Sequence, residues 1–140
     1  MTDILKARNC HWISVPGAAD ARGKVNFLAL GQGLDFEPKR FFWLHGIAPG
    51  QWRGRHAHRE SQLLFVAMHG GCRLHLDDGT AKETVTLDDP TKALYMAPWI
   101  RHELTDFSSE TAIVVVASTL FDEAEYLRDY EAFRTGLATQ

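Results

Sequence analysis

Arg53-Gly54-Arg55-His56-Ala57-His58-Arg59-Glu60-Ser61-Gln62 decides how this chain is read. Two histidines two residues apart share a face if the segment is extended, because strand side chains alternate with period two. Arginines surround the pair, and the apolar run Leu63-Leu64-Phe65-Val66-Ala67-Met68 follows at once. That is the composition of a polar site at the mouth of a packed β-core.

Strand signals extend on both sides. Upstream, His11–Val15 reads as a strand closed by Pro16-Gly17, and Val25–Leu30 as a second after a turn at 20–24. Arg40–His45 alternates, with Phe42 and Leu44 on one face and Phe41, Trp43 and His45 on the other. Downstream come Cys72–Leu76, the hairpin signal Asp77-Asp78-Gly79-Thr80, Glu83–Leu87, Ala93–Met96, Arg101–Leu104 and Ala112–Ser118. Only residues 122–135 read as a helix, opened by Asp122-Glu123-Ala124-Glu125 as a capping box and ended by Gly136. Tyr126, Tyr130 and Phe133 would be its packing face. Short strands, frequent turns and one terminal helix predict a single all-β domain over 1–140, a jelly-roll β-barrel of the cupin kind.

Composition bounds the function. One domain of 140 residues, 45% hydrophobic and 24% charged, buries one sizeable core. A net charge of −3 argues against nucleic acid as partner, since phosphates call for a basic face. No apolar run reaches the ~20 residues of a membrane span. The N-terminus has no apolar signal core, and Cys10 and Cys72 make no disulfide framework, so a cytoplasmic protein with reduced cysteines is expected.

A cupin metal site joins His-x-His to an acid a few residues on and to a later histidine. Here His56 and His58 are present and His102 can supply the later histidine, but Gln62 stands where the acid would be. An amide is a poorer ligand than a carboxylate, and Arg53, Arg55 and Arg101 add positive charge beside any cation. The expectation is no metal and no cofactor. Histidines without a metal, with reference pKa near 6.5, suit proton transfer at neutral pH.

A longer set of motifs carries a resemblance. Pro38-Lys39-Arg40, Arg53-Gly54-Arg55-His56-Ala57-His58, Asp77-Asp78-Gly79, Leu87-Asp88-Asp89-Pro90, Asp106-Phe107-Ser108 and Phe121-Asp122-Glu123-Ala124-Glu125-Tyr126-Leu127-Arg128-Asp129-Tyr130-Glu131-Ala132-Phe133 resemble the cupin-type dTDP-sugar 3,4-ketoisomerases, in the same order from about residue 20 to 134. The resemblance implies metal-free isomerisation of dTDP-4-keto-6-deoxyglucose to its 3-keto isomer, in deoxyaminosugar and surface-polysaccharide biosynthesis. It also implies a homodimer, with N-terminal strands (about 10–30) exchanged between copies. The family's motif histidines map onto His56 and His58 and its motif arginine onto Arg53.

The residues suit such chemistry. Moving a ketone from C4 to C3 requires a base at C3, an enediolate and reprotonation at C4. His56 is the first choice for base, with His58 as shuttle or oxyanion partner. Arg53, Arg55 and Arg101 can hold the enediolate and the diphosphate of a dTDP-linked keto-deoxysugar. Tyr95 and Trp99 are candidates to stack on the base or cover the sugar, and Gln62, His102, Trp43 and His45 complete the candidate contacts. Trp43 and His45 also mark a departure, because relatives tend to carry tyrosines on that strand. Two alternatives stand beside this reading: a non-catalytic nucleotide-sugar-binding cupin and a metal-dependent cupin enzyme. His11, His69 and His75 read as solvated or hydrogen-bonded residues.

Overall fold

The computed structural model describes residues 2–140. The chain runs through β1 (Thr2–Ile4), β2 (Cys10–Ser14), β3 (Gly17–Asp20), β4 (Gly23–Asn26), β5 (Ala29–Leu30) and β6 (Gly33–Leu34). There follow β7 (Arg40–His45), β8 (Arg53–His58), β9 (Leu63–His69), β10 (Cys72–Asp77), β11 (Lys82–Leu87), β12 (Lys92–Met96), β13 (Arg101–Thr105) and β14 (Ala112–Ala117). A 3₁₀ turn (Glu123–Glu125), β15 (Tyr126–Leu127) and α1 (Tyr130–Leu137) close the chain.

The larger sheet has the order β1-β2-β12-β9-β14-β7 and the smaller one β11-β10-β13-β8-β15. Their ladders are antiparallel throughout. This is the all-β jelly roll with a C-terminal helix that the strand signals predict. Among the described residues no helix is long and apolar enough to cross a membrane.

Alternation places the core. Leu63, Phe65 and Ala67 of β9, Leu94 and Met96 of β12, and Ile113 and Val115 of β14 meet Leu74 and Leu76 of β10 and Leu104 of β13 in one buried cluster. Each large side chain so buried stabilises the fold by about 1.5–3 kcal/mol. Leu64 and Val66 point the other way and pack with Val15, Leu34 and Phe36 of the N-terminal segment. The run from Leu63 is therefore apolar without alternation because both faces of β9 are covered. Cys10 and Cys72 are free and buried, and burial pushes both thiols up to about 12.

The C-terminal helix is shorter than the sequence signals indicate. Asp122 does accept from the Ala124 amide, but it caps only the 3₁₀ turn. Tyr126 and Leu127 then pair with His58 and Ala57 as a strand, which a helix through 122–135 would forbid. Asp129 caps the true helix, accepting from Ala132 N at 3.0 Å. Phe133, packed with Ala57 and Leu127, seats α1 on the outer side of the smaller sheet. Gly136 lies inside α1 rather than ending it, and a Cβ there would meet the Trp99 ring at 2.6 Å.

Candidate active site

The strand that carries the histidine pair is bulged. On β13, His102 lies opposite His56 and Glu103 lies opposite Gly54, leaving Arg55 without a partner. Gly54 and Arg55 take positive φ angles, 91° and 64°. A Cβ on Gly54 would lie 2.9 Å from the His102 carbonyl, so glycine is required by both conformation and space. The extra residue shifts the alternation by one position. Arg53 thereby joins His56 and His58 on the cavity side, while Arg55, next to His56, stays on the outer face.

That cavity, of about 470 Å³, opens between β7 and β8 and is lined by Arg53, His56, His58, His102, Tyr126 and Arg128. Phe42, Leu44, Phe65 and Leu104 form its apolar wall. The imidazole centroids lie 4.9 Å apart for His56–His58, 4.8 Å for His56–His102 and 5.7 Å for His58–His102. The Tyr126 ring covers the pair, 4.7 Å from His56 and 4.6 Å from His58. The Arg128 guanidinium sits 5.0 Å over the Tyr126 ring and donates to Glu123 at 2.8 Å.

Burial works against the charged form of all three histidines. Desolvation, then the neighbouring His58, lowers His56 from 6.5 to about 4. His102 is driven well below 6.5, again by burial and then by the other two imidazoles. His58 is lowered by burial against an opposing pull from Glu125. Nδ1 of His56 and of His102 is buried without a partner, whereas His58 Nδ1 lies 3.0 Å from Glu125 Oε1. The three rings bring a nitrogen each within 4.8 Å of one another, so they are also the described residues that could hold a metal ion.

Of the other sequence candidates, the structure moves several away from the cavity. Arg55 pairs with Glu103 and stacks on Trp52 at 3.7 Å, because the residue next to His56 on the strand faces away from the cavity. Arg101 is on the outer face of β13, where it donates to the Arg55 and Arg128 carbonyls. Trp99 lies under α1, its ring 6.5 Å from Phe133. Tyr95 and Gln62 bond to each other at 2.7 Å on the far side of the larger sheet, since Leu94 and Met96 take the inward positions of β12. Trp43 and His45 alternate outward, and it is Phe42 and Leu44 of β7 that face the cavity.

Sequence reasoning missed Glu125, Tyr126 and Arg128 by reading them as helix. Arg40 was passed over as well. Its Nε and one terminal nitrogen are buried without a partner, and its guanidinium lies over the Phe42 and Phe121 rings.

Comparison with known proteins identifies the family and the fold. The family model FdtA (WxcM-like, C-terminal) matches residues 8–137. A TDP-4-oxo-6-deoxy-alpha-D-glucose-3,4-oxoisomerase of Aneurinibacillus thermoaerophilus is 35% identical over 119 residues, covering 85% of this chain and 86% of that one. Two solved structures from Campylobacter jejuni superpose along most of their length. The TDP-quinovose 3,4-ketoisomerase WlaRB gives a TM-score of 0.88 at 30% identity, covering 91% of this chain and 98% of its own. The TDP-fucose-3,4-ketoisomerase WlaRA gives 0.87 at 29%, covering 90% and 93%. The chain belongs to the WxcM-like, C-terminal family, alongside sugar-nucleotide 3,4-ketoisomerases.

Proposed function

We propose that this chain is a metal-independent 3,4-ketoisomerase of a dTDP-4-keto-6-deoxyhexose, working through an enediolate in deoxyaminosugar biosynthesis for surface polysaccharides. One observation carries the reading: His56, His58 and His102 meet under the Tyr126 phenol in a cavity with Arg53 at its mouth. The names of the relatives supply the substrate class.

His56 is the base for the C3 proton. It is free to accept because burial keeps it unprotonated, and its conjugate acid, near 4, returns the proton readily to C4. Arg53 and Arg128 offer charge to the enediolate oxygens and the diphosphate. The wall of Phe42, Leu44 and Phe65 lowers the local dielectric and strengthens those contacts. β7 contributes no hydroxyl, so Tyr126 is the phenol available to donate a hydrogen bond to an enediolate oxygen.

The working unit is proposed to be a homodimer in the cytoplasm. Val25, Leu30, Phe41, Trp43 and Met68 are exposed apolar side chains. Several of them line a groove of about 790 Å³ on the outer side of the larger sheet. A second copy is the occupant that such a face fits. In the single chain β2 pairs with β12, and exchange of residues 10–30 would form the same ladder between copies. The buried free cysteines support a reducing compartment.

The test is incubation with dTDP-4-keto-6-deoxyglucose in D₂O, followed by NMR. Deuterium entering the sugar with growth of the 3-keto isomer supports the enzyme. Tight binding without exchange would replace it with a binding module. The nitrogen cluster of the three histidines favours a second reading, a metal-dependent enzyme. Stoichiometric metal in purified protein, with activity lost on its removal, would establish that reading instead.

A further inference from the structure

Behind the histidine pair lies a carboxylate whose acceptor sites are taken up by donors from one turn and one imidazole. Glu125 is buried, with 5% of its surface exposed. Its Oε1 faces His58 Nδ1 at 3.0 Å and accepts from the Ser61 hydroxyl. Its Oε2 accepts from the Glu60 and Ser61 amides, each at 2.9 Å. The Glu125 carbonyl accepts from Arg59 N, so main chain and side chain are both held against the segment that follows β8. Burial pushes the carboxyl up, but the bonds from Ser61, His58 and the two amides outweigh it and bring it down to about 2. Two backbone amides on one oxygen and a hydroxyl on the other favour the carboxylate, and an ionised Glu125 can only accept.

An acceptor-only group facing Nδ1 decides where the His58 proton sits. Nδ1 must carry hydrogen, which leaves Nε2 with the lone pair. The backbone reinforces the choice, because β15 pairs with β8 at Tyr126–His58 and fixes the distance between the two residues. His56 and His102 have no comparable partner on Nδ1.

We infer that Glu125 is a positioning residue that locks His58 in the Nδ1–H tautomer, so that Nε2 carries the proton exchanged between the two sugar oxygens. This rests on the ketoisomerase reading. The atoms balance without a co-reactant. The C3–H electron pair moves through the enediolate to form the C4–H bond, so C3 is oxidised and C4 is reduced. His56 moves the carbon-bound proton from C3 to C4. His58 Nε2 takes the O3 proton and gives it to O4, and Glu125 stabilises the imidazolium in between.

The tautomer is measurable without substrate. In protein labelled with ¹⁵N-histidine, long-range ¹H–¹⁵N correlation should show His58 protonated at Nδ1 and unprotonated at Nε2. Glu125→Gln, which presents an amide, should shift His58 toward the Nε2–H form. It should lower kcat by about 10-fold or more, within the ~10²–10⁴ that proton transfer contributes, with KM changed less than about twofold. Glu125→Asp should recover part of kcat. A wild-type His58 protonated at Nε2 overturns the inference, as does a Glu125→Gln enzyme with unchanged kcat. If Glu125→Gln does not fold, the wild-type spectrum decides alone. A wild type without isomerase activity but with the Nδ1–H tautomer refutes the enzyme reading and leaves the tautomer assignment standing.

Discussion

His102 on β13 stands directly across from His56 on β8, and one position further along the ladder slips at Gly54. The slip is what turns Arg53 into the cavity beside the histidines. It rests on a glycine whose φ of 91° and 2.9 Å approach to the His102 carbonyl leave no room for a side chain. Gly54→Ala is expected to destabilise the chain by about 1–3 kcal/mol and to lower activity beyond that loss, because Arg53 and His56 no longer share a face. Urea denaturation and kcat/KM measured on the folded variant check both parts. A variant with wild-type activity would show that Arg53 is not needed where the bulge puts it.

Tyr126 separates packing from chemistry. Its ring lies under 5 Å from two imidazoles, so Tyr126→Ala should disturb their placement and reduce both stability and rate. Tyr126→Phe keeps the ring and removes the hydroxyl alone. Loss of a hydrogen-bond donor to the enediolate should cost about 10²-fold in kcat with little change in melting temperature. Steady-state kinetics beside thermal melts separates the two outcomes, and a fully active Phe variant would assign the residue to packing.

Much of this was legible in the sequence, for physical reasons that also mark the limit. Strands such as Cys72–Asp77 announce themselves because one face is buried and the other wet, and the Asp78-Gly79 turn punctuates them. His56, His58 and His102 were found because the strand pattern and the motif agree, whereas Arg53 was placed by the resemblance alone. The bulge was not visible, since plain alternation sets Arg53 on the face opposite His56 and takes no account of an extra residue, while Arg55, next to His56, faces outward to a surface ion pair. β15 was hidden for a different reason. A strand of two residues has no periodicity, and Asp122 with Glu125 imitates a helix start. The decisive contacts of Glu125, to His58 and Ser61, span more than 60 residues and leave no local trace. Tyr95 and Gln62 looked like site residues but belong to the opposite side of the larger sheet.

Stability should follow a dome in pH. His56 is lowered from 6.5 to about 4, and His58 and His102 are lowered too, so the unfolded chain takes up protons that the folded chain refuses. Stability therefore falls as pH drops from about 6.5 toward 4. Glu125, lowered from 4.5 to about 2, adds a further loss below pH 4.5. On the alkaline side, Cys10 and Cys72 are raised from 9.0 to about 12, so stability declines as pH rises above 9. Denaturation midpoints from pH 4 to pH 10 should show both slopes. A flat profile between 6.5 and 4 would mean that the histidines are not held neutral.

Trp43 tests the outer face of the larger sheet. It is 62% exposed, beside the similarly exposed Phe41, and it contributes nothing to the core of its own chain. If that face meets a second copy, a charge there must be desolvated on association, whereas the isolated chain leaves it in water. Trp43→Glu is thus expected to shift a dimer toward monomer by at least 10-fold in dissociation constant, while the melting transition of the monomer stays within about 0.5 kcal/mol, the range of surface substitutions. Light scattering across a concentration series reads the association, and denaturation at low concentration reads the fold. Unchanged dimerisation would move the interface elsewhere, and a wild type that is monomeric at every concentration would remove it.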